Sequence, residues 1–136
     1  MMMGRSQKFI WLLPAILILS FAQLALSQDE IPTIAARDFW QEFEDDRPQA
    51  ETKYIGQTLN YTGVVVDTGI SIYLTPNVML SDSPDGRTYL ICVLPRADVN
   101  KLSQFKKGEQ VTLTGRVYRS KAGGGVVIKE CKRVDR

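Results

Sequence analysis

Histidine is absent from this 136-residue chain, and cysteine occurs only at Cys92 and Cys131. Without an imidazole there is no base for Ser-His-Asp or Cys-His catalysis and no histidine ligand for a metal. Two thiols cannot make a four-thiolate zinc site. A large excess of charge of one sign is also missing. The formal net charge is +2, and it falls to zero once residues 1–27, with Arg5 and Lys8 and no acid, are set aside. The overall basic excess usual in a nucleic-acid binder is therefore lacking. Disorder is excluded from the other side, since 44% of the residues are hydrophobic and only 24% charged. The length suits a single domain with terminal segments.

The long apolar run comes first. Phe9 to Leu26 is interrupted only by Pro14, Ser20 and Gln23, follows the basic Arg5 and Lys8, and ends in Ala25-Leu26-Ser27 before the polar Gln28-Asp29-Glu30. Basic start, apolar middle and small residues at the boundary predict a secretory signal peptide over residues 1–27, cleaved after Ser27, with Ala22 as the second choice. An uncleaved membrane anchor is the alternative, at the short end of what spans a bilayer. No cysteine stands near the boundary, so a lipid-anchored form is not expected. The product is expected to be exported, periplasmic or secreted.

The remaining charges are segregated. Residues 28–51 hold eight acids and two arginines, whereas residues 52–136 hold thirteen basic residues and seven acids. Within the acidic lead-in, residues 28–54, apolar and charged residues alternate at spacings of three and four. This predicts a helix over 34–46, capped by Thr33, buried through Phe39, Trp40 or Phe43 and stopped by Pro48, with a short second turn over 49–54. Its acidic side reads as a solvated face, with an acidic docking surface as the other reading.

From residue 55 to 136 the pattern is β. Strands are expected around Leu59–Val66, Ile70–Leu80 with a break at Pro76-Asn77, Thr88–Leu94, Glu109–Tyr118 and Val126–Arg133. A turn is expected at Thr68-Gly69 and a short helix over Ala97–Phe105. The predicted core is Leu59, Val65, Ile72, Leu74, Ile91, Val93, Val111, Leu113, Val117 and Ile128. One internal similarity bears on topology: Ile55–Val65 repeats as Lys107–Val117 at an offset of 52, each segment carrying glycine, then Thr-Gly-x-Val. Two strands with the same glycine-marked bend, first and fourth in order, suit a small barrel closing on itself. A mainly β, five-stranded OB-fold barrel preceded by a helix follows.

The residues also carry a resemblance. From Ile34 to Val134, Phe39-Trp40-Gln41-Glu42-Phe43, Lys53-Tyr54-Ile55-Gly56-Gln57, Tyr61-Thr62-Gly63-Val64-Val65, Ile91-Cys92-Val93, the run Lys106–Gly115 and Ile128-Lys129-Glu130-Cys131 occur in the order seen in the tRNA-anti-like family of bacterial OB-fold proteins, many of them exported or lipoproteins. The resemblance implies the fold and carries over no catalytic residue. Arg47-Pro48 departs from it, making a sharper break between helices.

In an exported OB barrel the strands of Cys92 and Cys131 are neighbours, so a disulfide between them is expected, closing a loop of about 39 residues worth about 4 kcal/mol. A redox-active pair is the other reading, against which the wide spacing speaks. OB barrels hold ligands on one strand face and its flanking loops. Tyr73, Tyr89, Arg116, Tyr118, Arg119, Lys121 and Lys129, with Lys132 and Arg133, are the candidate ligand residues, since aromatics beside cations can stack on bases or sugars. Ordinary solvated strand faces are the competing reading. Gly123-Gly124-Gly125 is followed by Val126-Val127-Ile128 rather than Lys-Ser or Lys-Thr and a helix, so it is not a phosphate loop. Asp45-Asp46 and the pair Asp82 and Asp85 sit in polar, turn-like stretches. Asp82 and Asp85 could hold calcium weakly, but Ser-Pro-Asp-Gly is above all turn chemistry. The sequence thus predicts no catalytic residues, no metal and no cofactor. It predicts a non-catalytic binding or interaction module of the cell envelope for a protein, glycan or small ligand. The alternative is a single-stranded nucleic-acid binder. Membrane contact is expected only through the signal segment, if that is kept.

Overall fold

The computed structural model describes residues 30–121 and 124–134. The expected signal segment lies outside them. A short strand β1 (Thr33–Ala35) leads into α1 (Ala36–Asp45) and α2 (Arg47–Tyr54). The barrel strands are β2 (Thr58–Ile70), β3 (Pro76–Ser81), β4 (Leu90–Val93), β5 (Gln110–Ser120) and β6 (Val126–Arg133), with a 3-10 helix (Arg96–Gln104) between β4 and β5. The order β2-β3-β4-β6-β5 closes through a β2–β5 pairing. This is the OB-fold barrel.

The lead-in differs from expectation at its start and middle. Thr33 is not the helix cap. It belongs to β1, which pairs parallel to β2 with Thr33 opposite Asn60, and the cap position is Ala35, whose side chain cannot cap. Pro48 does more than end α1: it occupies the first turn of α2, where its missing N–H costs nothing, and Asp46 Oδ1 accepts from the Gln49 amide at 3.3 Å. Ala36, Phe39, Trp40 and Phe43, spaced by three and four, bury one stripe of α1. Phe39 meets Phe43, Tyr54 and Tyr61 edge-on at ring distances of 5.1, 4.8 and 5.1 Å, tying both helices to β2.

The 52-residue repeat becomes a pseudo-twofold seam. The Gly56 amide donates to Val117 O at 2.9 Å, and its counterpart Gly108 donates to Val65 O, the counterpart of Val117, at 2.7 Å. Gln57 and Glu109 likewise donate to Tyr54 and Lys106 carbonyls. Gly56 and Gly108 share φ of +88° and +89°, the left-handed region where a Cβ is strained. Between these turns β2 and β5 run antiparallel, Thr58 opposite Arg116 through Val64 opposite Gln110.

Leu59, Val65, Val111, Leu113, Val117 and Ile128 are core, as expected. Four of the expected core residues, and one expected turn, fail. Ile72 and Leu74 are 90% and 64% exposed. No turn occurs at Thr68-Gly69. The strand continues, with Thr68 opposite Val78 and Gly69 opposite Asn77, and the chain reverses over residues 71–75 instead, carrying Ile72 and Leu74 to the tip. Ile91 and Val93 are half-buried, because Leu90 and Cys92 take the inward positions of β4.

The expected disulfide is not formed. Cys92 and Cys131 are free, buried thiols. Cys92 lies opposite Ile128 in the parallel β4–β6 pair, so Cys131 is three residues past its direct neighbour. A bulge at Glu130 (φ +58°), where Glu130 and Cys131 together oppose Gly115, turns Cys131 inward. Its thiol donates to Ile128 O at 3.5 Å. Burial above all, then the hydrogen bond with Cys92, pushes the Cys131 thiol far up and keeps it protonated.

Candidate ligand-binding face

Alternation along β3 and β4 points Val78, Leu80, Leu90 and Cys92 into the barrel and leaves Asn77, Met79, Ile91 and Val93 half-buried on the outer side. Register extends this surface across strands. Met79 lies opposite Ile91, Ile91 beside Val127, and Val127 opposite Arg119. The result is an apolar row, half-buried at Met79 and Ile91 and buried at Val127, that ends in a cation. Lys129, opposite Arg116, begins the next row on β6 and β5.

A second bulge organises the basic end. Val117 faces Ile128 and Arg119 faces Val127, so Tyr118 is the extra residue and stands 42% exposed. The Lys129 ammonium lies 3.6 Å from the Tyr118 ring centroid and the Arg119 guanidinium 5.7 Å from it. Arg116 Nη2 is 3.2 Å from Glu130 Oε1 in an exposed pair. Arg119, Lys121 and Lys129 make no ion pair among the described residues. Lys121 sits where the β5–β6 connection begins. Its amide donates to Gly125 O, and its carbonyl accepts from Arg47 Nη2 at 3.2 Å and from the Gly124 amide. Trp40 Nε1 donates to Gly124 O at 3.3 Å, so both helices brace this connection. Residues 122–123 of the glycine loop lie outside the described residues.

The structure thus gathers Arg116, Tyr118, Arg119 and Lys129, with Lys121 at the adjoining loop. Four other candidates are elsewhere. Lys132 lies opposite Thr114 near the end of β6 and lines a groove with Asp98 and Lys101. Tyr89 is buried against Trp40 at 4.9 Å between rings, and Arg87 covers the Trp40 ring at 4.4 Å, so Tyr89 is a packing residue. Tyr73 stands on the β2–β3 tip, 71% exposed. Arg133 pairs with Glu109 at 3.0 Å, its side chain only 11% exposed, and lies over Phe105. Asp82 accepts from Arg37 at 3.5 Å and from the Ser81 hydroxyl at 3.3 Å, the surroundings of a turn carboxylate. Met79 and Ile91 were not recognisable as outward residues from the sequence, which placed Ile91 in the core. The signal would have been the phase of β4, which the flanking Thr88 and Tyr89 obscure.

Chemically, clustered cations, a ring held against one of them and an apolar strip can neutralise and stack upon an extended anionic ligand. No curated protein matches the chain. A lipoprotein of Klebsiella pneumoniae, provisionally assigned as nucleic acid-binding, superposes with a TM-score of 0.66 at 19% identity, over 81% of this chain and 95% of its own. A Leishmania major protein, provisionally assigned as an aspartyl-tRNA synthetase, is similar at a TM-score of 0.50 and 13% identity, over 78% of this chain but 21% of its own. At such identities the likeness is one of fold. The tRNA_anti-like family matches residues 6–132.

Proposed function

The chain belongs to the tRNA_anti-like family, and from that premise we propose that it is a non-catalytic binding module of the cell envelope whose ligand is single-stranded nucleic acid. The observation that carries this reading is the Tyr118 ring held by Lys129 beside Arg119, at the edge of the apolar row of Met79, Ile91 and Val127. The absence of a basic excess outside residues 1–27 is compatible with it, because the acids are concentrated in residues 28–51, ahead of the barrel. The provisional assignment of the Klebsiella pneumoniae protein supports the ligand class, and the basic-apolar-small pattern of residues 1–27 supports the location.

Titration of a labelled oligothymidine by fluorescence anisotropy tests the ligand. With three cations engaged, log affinity should fall with log salt at a slope of about −2, so a fourfold rise in salt costs at least about tenfold. Arg119→Ala with Lys129→Ala should weaken binding about tenfold and flatten that slope. Tyr118→Ala should weaken it by about 1–3 kcal/mol through lost stacking. Absence of binding, or binding untouched by these changes, removes nucleic acid as the ligand. Fractionation with mass spectrometry of the amino terminus checks export: a cytoplasmic chain that retains residues 1–27 contradicts the envelope location.

A further inference from the structure

The tip of the β2–β3 hairpin is built in a way the ligand face does not explain. Ile70, Ile72, Tyr73 and Leu74 are 54%, 90%, 71% and 64% exposed, four large apolar side chains in five positions. No charged residue occurs between Asp67 and Asp82. Most exposed loops keep their backbone groups for water. Here four of the five amides in residues 71–75 are satisfied within the loop: Ser71 donates to Thr75 O at 3.0 Å, Leu74 to Ser71 O at 2.9 Å, and Tyr73 and Thr75 to Ser71 Oγ at 3.3 and 3.2 Å. Leu74 adopts φ +58°, a conformation that costs a non-glycine residue free energy, and it thereby stands on the outside of the turn.

The geometry points to this tip as a wedge that enters the interfacial region of a lipid bilayer. An apolar medium penalises backbone groups without partners, and this loop supplies partners for four of its five amides. Tyrosine suits the headgroup boundary, with isoleucine and leucine below it. A second copy of this chain is a poor receptor. Two grooves among the described residues carry charges that an apolar tip would have to desolvate: Asp98, Lys101, Lys132 and Arg133 beside Leu94 and Phe105 in one, Arg37 and Asp82 beside Ala36 and Val64 in the other. The tip is convex, so a fluid surface accepts it without needing a matched pocket. The 18-residue apolar run at 9–26, expected to act as a signal segment, would itself bring the chain to a membrane.

The test uses the full chain with Tyr73→Cys carrying an environment-sensitive NBD label. Buried Cys92 and Cys131 stay unlabelled under native conditions. Thr52→Cys, on exposed α2, is the control position. On addition of vesicles of phosphatidylcholine with phosphatidylglycerol, emission at position 73 should shift to the blue, rise severalfold and be quenched by spin-labelled acyl chains. Position 52 should not respond. Ile72→Ser with Leu74→Asn, the latter suited to the left-handed backbone, should cut the response at 73 about tenfold without altering the fold. The proposal is overturned by no shift at 73 with vesicles, by an equal shift at 52, or by a shift without lipid that grows with protein concentration, which would mark self-association.

Discussion

Tyr61 is the residue where the core departs most from simple packing. It is fully buried, its ring touches Phe39, and its hydroxyl has no hydrogen-bond partner among the described residues. An unsatisfied buried hydroxyl costs about 1–3 kcal/mol, so Tyr61→Phe should hold or raise stability by about 1 kcal/mol, read as a higher urea midpoint at unchanged m. Burial, with smaller contributions from Cys92, Cys131 and Tyr54, also drives the Tyr61 phenol strongly upward. Tyr54 is raised by burial and by the 2.6 Å hydrogen bond its hydroxyl donates to Glu42. With Cys131, these groups stay protonated in the folded chain at pH values where the unfolded chain releases protons. Their stabilisation is complete below the ordinary values of 9.0 for the thiol and 10.0 for the phenols. It falls as pH climbs past them, because the folded state then binds more protons. Stability should therefore decline above about pH 9, steepening towards about 1.4 kcal/mol per pH unit for each group. Denaturant titrations of wild type and Cys131→Ala between pH 8 and 11 check this, the variant losing the earliest part of the decline.

Among the elements, the glycine turns ahead of β2 and β5 make the sharpest prediction. A Cβ at Gly56 or Gly108 meets nothing within 4 Å, so alanine there costs only backbone strain, about 1–2 kcal/mol for each. At Gly115 a Cβ would lie 2.5 Å from Ile128 Cγ2 and 2.9 Å from Cys131 Sγ, opposite the Glu130 bulge. Gly115→Ala should cost more than either and disturb β6, visible in urea melts of the three variants. The repeat that marks these turns was legible because glycine and Thr-Gly recur at one offset, and with it the barrel. The alternation of Leu59, Val111, Leu113 and Val117 gave their burial. Two things were not legible. Ile70, Ile72 and Leu74 alternate as a strand does, and only the pairing of Thr68 and Gly69 with β3 reveals them as the tip. Bulges change phase without changing composition, so neither the outward Tyr118 nor the inward Cys131 could be assigned a side by counting. The basic cluster was readable as residue types but not as a place, since Tyr89 and Arg133 look equally available until Trp40 and Glu109 are seen against them.

At the scale of the whole molecule, the helices and the ligand face are mechanically joined. Trp40 packs on Tyr89, lies under Arg87 and holds Gly124 O, while Arg47 holds Lys121 O. Trp40→Ala should cost about 3–5 kcal/mol. Assayed at a temperature where it remains folded, it should also weaken the oligonucleotide affinity proposed above, although Trp40 is buried and belongs to the packing beneath the loop rather than to the ligand face. Anisotropy titration beside a thermal melt separates the two effects. The seam has a further consequence, for the way the barrel opens. Val65 and Val117 each accept from the opposite glycine turn, and each donates its own amide back to that turn, to Glu109 and Gln57 respectively. Neither turn can peel away without releasing the other, and the strands they join are far apart in sequence, so nothing local holds a half-open state. The amides of Gly56, Val65, Gly108 and Val117 should consequently report one common opening free energy in deuterium exchange, that of global unfolding, whereas those of the 71–75 tip exchange through fluctuations of their own.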